Sequence, residues 1–292
     1  SILKAGMPKP AMDKEALQHY LSFNYVPAPY TLYEGIKHLM PGHVMKVTSD
    51  GSKTWRWWNL AEVQPVHGRS EADWIEEFNA IIDDAVRLRL RCDVPFGAFL
   101  SGGVDSSTVV GLMARHMTEP VKTFCIGFHD PRYDESGFAQ AAADRFGSEH
   151  TMERVEPDML DLWPMATYHC DQPHGDVSFL PTYRVSELAV RDVKVVLTGD
   201  GADELFAGYD KYKNFFAQPD LETLDDQTFQ RRYFDSISLF SSERKRSLYG
   251  ADMRAGAGQL DSSDVAKPWF DAVPHQDRIN QALFLDMQLL LS

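Results

Sequence analysis

Three short apolar runs punctuate the chain: Val94 to Leu100, Val121 to Gly127 and Lys194 to Thr198. Runs of this length suit parallel strands covered on both faces. Around them the apolar positions change to helical spacing. Ser70 with Asp73 makes a capping-box start, and Trp74, Phe78, Ile81, Ile82, Ala85 and Leu88 continue it as a helix expected to pack beside the first strand. Val109, Val110, Leu112, Met113 and Met117 predict a helix directly after that strand. Asp134 and Glu135 open another that runs through Phe146 and ends at Gly147, with Asp134 as its cap and Glu149 to Val155 as a further strand. Strand alternating with helix predicts an α/β fold with a doubly wound parallel sheet.

The flanks read differently. Met12 to Lys37 carries helical patches broken by Pro27 and Pro29, and a hairpin follows: Gly42 to Thr48, a Ser49-Asp50-Gly51 turn, then Ser52 to Trp58. Trp55, Trp57 and Trp58 read as a packing face. The polar stretch Val63 to Arg69 reads as a linker, which divides the chain into 1–62 and 70–292. Beyond Tyr212 the pattern says less. Arg231-Arg232 and Glu243 to Arg246 read as solvated helix faces, and Phe284, Leu285, Met287 and Leu289 to Leu291 as an interrupted apolar helix.

The candidate chemistry begins where the first strand stops, at Ser101-Gly102-Gly103-Val104-Asp105-Ser106-Ser107. A glycine turn opening a helix offers close backbone approach, unpaired N–H groups and the positive end of the helix dipole, which together suit a phosphate. Two better-known loops are excluded. A Walker loop needs a lysine, and none lies between Lys53 and Lys122; the dinucleotide fingerprint needs a third glycine where Ser106 or Ser107 stands. Asp105 beside phosphates makes sense if Mg²⁺ sits between them; its bland alternative is a helix cap.

A second loop repeats the design. The strand ending at Thr198 runs into Gly199-Asp200-Gly201-Ala202-Asp203-Glu204, followed by apolar helical residues. In an open parallel sheet the loops leaving the strand ends share one edge, so Asp105 and Asp203 are expected to converge on one metal ion. Between the two loops, Asp171 to Ser178 clusters Asp, Pro, Gly and Ser as functional loops do, with Asp171, Asp176 and Ser178 as candidate substrate contacts.

Composition adds limits. The chain of 292 residues carries a net charge of −14, which argues against nucleic-acid and anionic-membrane partners. No apolar run approaches the ~18 residues of a membrane span. Cys92, Cys125 and Cys170 are odd in number and lack metal spacing, so buried free thiols in a reducing cytoplasm are expected. No signal peptide opens the chain, and Ser1 reads as the cut end of something longer.

The string Pro95 to Ser107 resembles the pyrophosphate-binding loop of the N-type ATP pyrophosphatases, in the form carried by asparagine synthetases. Gly199 to Tyr209 resembles that family's second signature, while Leu21 to Pro29 and Leu39 to His43 are similar to the segments around its domain junction. The resemblance implies a HUP/Rossmann-like synthetase domain preceded by the end of a glutaminase domain. It implies ATP and Mg²⁺ as cofactors, with nucleotide contacts at Leu100, Ser101, Gly102, Gly103, Val104, Asp105, Ser106, Ser107, Ile126, Thr198 and Gly199. Metal would be held by Asp105 and Asp203, and Asp200 would match the position that forms the β-aspartyl-adenylate. Many members have glutamate there, so the shorter side chain bears on which carboxylate is used. The expected reaction is adenylation of a carboxylate, best read as aspartate, followed by displacement of AMP by ammonia. A surface sugar acid as substrate, lactam formation, and a nucleotide-binding module without catalysis are the alternatives. The expected partners are these small molecules, the protein's own glutaminase domain and a second copy of the chain. The glutaminase nucleophile is an N-terminal cysteine, and none precedes Cys92; a family lysine near the reacting phosphate would fall past Ser292.

Overall fold

The computed structural model describes residues 2–6, 9–156, 159–257 and 260–291; Ser1 and Ser292, on which the expectations about the two ends rest, lie outside them. The chain divides into two compact units, one of residues 66–166 with 177–202, the other of 1–65, 167–176 and 203–292.

The first unit holds the sheet. Its strands are β3 (Phe96–Phe99), β4 (Lys122–Phe128), β5 (Glu149–Val155) and β6 (Val195–Leu197), after β1 (His43–Thr48) and β2 (Gly51–Arg56) in the other unit. They lie in the order β5-β4-β3-β6, all parallel. The interleaved helices are α2 (Glu71–Arg89), α3 (Val104–His116), α4 (Ser136–Phe146), α5 (Trp163–Cys170), which the unit boundary after Ala166 divides, and α6 (Phe179–Ala189), following α1 (Lys14–Phe23) of the other unit. The alternation along β4 shows why both faces are covered. Cys125 joins Ala98, Val110, Met113 and Ala139 in one core, while Phe124 joins Leu188, Ala189 and Val193 in another. One residue step turns a side chain to the opposite face, so helices are needed on both. The α/β fold with a parallel sheet is as the apolar runs predict.

Several details depart from expectation. α2 has the capping box at Ser70 and Asp73, yet Val86 is its sole buried residue among those described. Trp74, Ile75, Phe78, Ile81 and Leu88 are exposed. The helix lies along α3, with Asp83 Oδ1 3.1 Å from His116 Nε2, so it reaches the sheet's core mainly through Val86. Asp134 is not the N-cap of α4, which is Glu135; its Oδ1 instead ties the approach to the helix by accepting from the backbone N–H groups of Ser136 and Phe128. Gly147 ends α4 with a φ of 64°. Of the thiols, Cys125 is buried, Cys92 half-buried and Cys170 exposed, so burial holds for one of the three.

The second unit is helical apart from the β1–β2 hairpin. Between 12 and 37 only α1 is helical; Asn24, at a φ of 70°, closes it before the two prolines. The hairpin forms as predicted, but Trp55, Trp57 and Trp58 are exposed rather than packed, because the hairpin has no partner sheet among the described residues. α7 (Ala202–Phe206), α8 (Asp210–Phe216), α9 (Asp226–Ile237), α10 (Ser242–Leu248), α11 (Ala251–Ala257), α12 (Ser263–Ala272) and α13 (Arg278–Leu289) complete the chain. An aromatic core of Phe215, Phe229, Tyr233 and Phe270 holds them, with Phe215 and Tyr233 edge to face at 5.0 Å. α13 supplies Leu285 and Leu289 to that core, which makes the interrupted apolar helix a buried one. Glu243 to Arg246 is not a uniformly solvated face. Lys245 is 2% exposed, its ammonium donating to the hydroxyls of Ser22 and Ser262.

Candidate active site

The first loop is a closed hydrogen-bonded turn. Leu100, 1% exposed, extends the ladder by donating its N–H to the Phe124 carbonyl at 3.0 Å. The chain then leaves the sheet, and Ser101 Oγ accepts from the Gly103 N–H at 3.2 Å and lies 3.1 Å from Ser106 Oγ. Ser106 Oγ also accepts from the Ser101 N–H at 3.3 Å, so the serines at both ends of the turn are stitched together. Gly102 makes the path possible. Its φ is +84°, and a Cβ there would fall 2.5 Å from the Ala139 N. No side chain fits between this loop and α4.

Gly103 is the N-cap of α3, and no side chain among the described residues caps it. Asp105 is therefore not the cap; it stands in the first turn. The leading N–H groups of a 13-residue helix are thus left for an anion, beside the hydroxyls of Ser101, Ser106 and Ser107. Val104 is exposed.

The start of the second loop lies against this turn. A Cβ on Gly199 would be 2.8 Å from Asp105 Cβ and 2.9 Å from the Ser106 N. β6 neighbours β3 in the sheet, which is what delivers Gly199 to the first turn of α3. Thr198 Oγ1 donates to Asp200 Oδ2 at 2.8 Å, curling the Asp200 carboxylate back over the strand end. Ile126 is half-buried on β4 and packs in the Phe124 core. Leu100, the 101–107 turn, Ile126, Thr198, Gly199 and Asp200 thus all belong to the sheet unit.

The remaining candidates are divided. The unit boundary falls between Ala202 and Asp203, placing Asp203 with the helical unit, along with Asp171 and Asp176; Ser178 stays with the sheet unit. Asp171 takes a φ of 60°, the Asp176 N–H donates to His174 Nδ1 at 3.3 Å, and Ser178 begins α6, its carbonyl accepting from Thr182. Asp203 closes its own turn, its carbonyl accepting from the Gly208 N–H at 3.0 Å. A Cβ at Gly208 would meet Asp203 Oδ1, so a larger residue there would displace that carboxylate.

The structure adds residues that the pattern did not single out. Glu204 is 3% exposed and its Oε1 accepts from Tyr209 OH at 2.7 Å, anchoring the second loop from below. Asp286 of α13, also buried, accepts from Lys211 Nζ (2.7 Å), Tyr212 OH (2.7 Å) and Tyr233 OH (2.8 Å). Burial and the Asp286 charge push both tyrosines far above their ordinary pKa, so they act as permanent donors. Lys211, two residues after the loop, is thereby tied to a carboxylate. An aspartate inside an apolar helical run was the available signal.

Magnesium prefers one or two carboxylates with substrate phosphates and water over an all-protein cage; the sheet unit offers Asp105 and the helical unit Asp203, each in the first turn of a helix.

Residues 77–292 match the Asparagine synthase family, and residues 1–58 match the Glutamine amidotransferase domain. The chain belongs to the asparagine synthase family. It is 30% identical over 304 aligned residues to asparagine synthetase (glutamine-hydrolysing) 1 of Bacillus subtilis, covering 94% of this chain and 47% of that protein. A putative asparagine synthetase of Methanocaldococcus jannaschii is 38% identical over 211 residues, covering 70% and 40%. An amidase, chyE of Penicillium rubens, is 29% identical over 210 residues, covering 65% and 31%. The chain therefore spans less than half the length of these relatives. Among solved structures, an NH3-dependent NAD synthetase from Campylobacter jejuni aligns with a TM-score of 0.35 and 11% identity, covering 73% of this chain and 95% of that one. No described helix is long and apolar enough to cross a membrane.

Proposed function

We propose that this chain binds ATP on the Ser101–Ser107 turn and activates a carboxylate, best read as that of aspartate, for attack by ammonia, giving asparagine, AMP and pyrophosphate. The observation that carries this reading is the bare N-terminus of α3, held under a side-chain-free glycine and walled by three serines. Family membership supplies the reaction class.

The residues divide the work as follows. The α3 N–H groups and the hydroxyls of Ser101, Ser106 and Ser107 hold the β- and γ-phosphates, which depart together as pyrophosphate. Leu100 and Ile126 border the nucleoside, and Thr198 and Gly199 run along its α-phosphate side. The carboxylate oxygen of the substrate attacks the α-phosphorus while the bond to the bridging oxygen of pyrophosphate breaks. Asp105 and Asp203 would hold Mg²⁺, which would supply positive charge to the phosphate oxygens. Asp200 orients the activated carbonyl, and Asp171, Asp176 and Ser178 contact the substrate amino acid. Ammonia then displaces AMP. The amidotransferase fragment at 1–58 supports a glutaminase domain of the same protein as its source.

A second reading keeps the chemistry and changes the carboxylate. Asp200 is shorter than glutamate and is drawn onto Thr198, which leaves room for a different acid, and one relative is named an amidase. Exchange of labelled pyrophosphate into ATP, measured with aspartate and a panel of carboxylates, tests both. Aspartate-dependent exchange is expected; exchange supported only by another acid would establish the second reading, and exchange needing no carboxylate would overturn adenylation.

A further inference from the structure

The chain just past α1 is built as a stiff seat. Asn24 closes the helix at a φ of 70°, and carbonyls at a helix C-terminus are left wanting donors. Further on, Thr31 is 4% exposed; its hydroxyl donates to the Ile36 carbonyl at 2.7 Å and accepts from the Tyr33 N–H at 3.2 Å. The Leu32 carbonyl accepts from the N–H of Asp13, the N-cap of α1, at 3.0 Å. The segment 24–36 is thereby fastened to both ends of α1.

The loop that follows α5 rests on this seat through three contacts, all falling between Asp171 and Asp176. The Gly175 N–H donates to the Asn24 carbonyl at 2.8 Å. Gln172 Oε1 accepts from the Leu32 N–H at 3.0 Å. The rings of His174 and Tyr25 stack, with centroids 6.4 Å apart and planes 26° apart. Tyr25 also reaches the aromatic core, its ring 6.0 Å from that of Phe23. Burial and, after it, the charge of Asp286 push the Tyr25 pKa up. Asp286 is the carboxylate that holds Lys211 and Tyr212 just after the second loop. All these residues belong to the helical unit. The seat nevertheless lies in the segment matched by the Glutamine amidotransferase domain, and the loop in the segment matched by Asparagine synthase.

We propose that Tyr25 and Gln172 are positioning residues for the carboxylate substrate: the seat at 24–32 holds the 171–176 loop in its binding form and so sets substrate affinity. The inference rests on the reading of Asp171 and Asp176 as substrate contacts. A loop ordered beforehand spares the entropy that binding would otherwise lose. Releasing it therefore weakens binding of the carboxylate. The nucleotide contacts at 100–107, Ile126, Thr198 and Gly199 lie in the sheet unit, so the requirement for ATP stays the same.

The test is pyrophosphate exchange by the full chain, with half-saturating concentrations of the carboxylate and of ATP measured separately. Gln172→Met keeps the length of the side chain and loses the acceptor; Tyr25→Leu removes the ring, and Tyr25→Phe keeps it. In Gln172→Met and Tyr25→Leu the carboxylate requirement should rise roughly fivefold or more, the scale of one lost hydrogen bond, with the ATP requirement unchanged. Tyr25→Phe should behave as the parent. Gln172 is half-buried on a loop, so its variant should fold even if Tyr25→Leu does not. A parent whose exchange needs no carboxylate, or that shows no exchange, would overturn the adenylation reading and this inference with it. Carboxylate-dependent exchange in the parent, with an unchanged carboxylate requirement in Gln172→Met or equal rises for carboxylate and ATP, would overturn this inference alone. Amide hydrogen exchange reads the seat without substrate: the Gly175 N–H should exchange faster in Gln172→Met than in the parent, and equal rates would overturn the proposal.

Discussion

Gly102→Ala tests the point of the candidate site where a helix backbone leaves no room for a side chain. The substitution adds one methyl group, and two costs follow from the geometry. A residue with a Cβ held at a φ of +84° sits in the left-handed region, worth about 1–2 kcal/mol. The new carbon would also meet the α4 backbone at Phe138 and Ala139, the Ala139 N at 2.5 Å. A helix backbone cannot swing aside as a side chain can, and overpacking of this kind costs roughly 1–3 kcal/mol. Alanine restricts the unfolded chain more than glycine, which returns about 0.4–1 kcal/mol. The net expectation is a loss of about 2–4 kcal/mol, read in urea as a lower midpoint at unchanged slope. Gly137→Ala is the matched control: it lies one residue before Phe138 in α4 and has nothing within 4 Å of its Cβ position. That change should be neutral or stabilising by up to ~1 kcal/mol. If α4 yields instead, the turn opens and ATP affinity falls with it. A Gly102→Ala variant within about 0.5 kcal/mol of its parent, with ATP affinity retained, would refute the claim that this turn has no room.

Other expectations concern the helical unit. Asp286→Asn should destabilise it by roughly 3 kcal/mol, because removing one member of a buried charged group leaves its partners unmatched; Lys211, Tyr212 and Tyr233 all lose their acceptor charge. A midpoint shift under about 1 kcal/mol would mean that the three contacts are dispensable. Lys245 gives a pH signature. Burial, opposed by Asp261 and reinforced by Arg231 and Arg246, pulls its pKa down from 10.5 to about 8. Between those values the unfolded chain binds the extra proton, so stability should rise with pH across that window, by on the order of 1–3 kcal/mol, and be flat below it. The difference between the parent and Lys245→Met should carry this slope; parallel pH profiles would remove it.

The sheet was legible because its strands are continuous apolar runs that end in glycine turns. Ser101 to Ser107 and Thr198 to Gly201 stand out by composition, and the structure brings Gly199 against Asp105, as neighbouring strand ends in a parallel sheet require. Side chains whose role depends on distant partners were not legible. Lys245 sits in a Glu-Arg-Lys-Arg string that gives no local sign of burial; the hydroxyls of Ser22, 223 residues away, and Ser262, 17 residues on, accept from its ammonium. The apolar stripe of α2 misled in the opposite sense, since helical periodicity marks a face without saying what covers it. Trp55, Trp57 and Trp58 raise the same difficulty on a hairpin with exposed faces. Asp203 shows a further limit. Its loop chemistry is plain in the sequence, but it falls in the helical unit while Asp105 falls in the sheet unit, a division that no local pattern encodes.

The central claim is that the two loops hold ATP through one metal ion, and calorimetric titration of ATP with and without Mg²⁺ into the parent, Asp105→Asn and Asp203→Asn tests it most directly. Asparagine retains the size and much of the hydrogen-bonding capacity of aspartate but loses the charge that a magnesium ligand needs. The account predicts that the parent binds Mg·ATP, that each variant loses at least tenfold in that affinity, and that all three bind metal-free ATP alike. A parent that fails to bind Mg·ATP, or either variant binding it as tightly as the parent does, would contradict it.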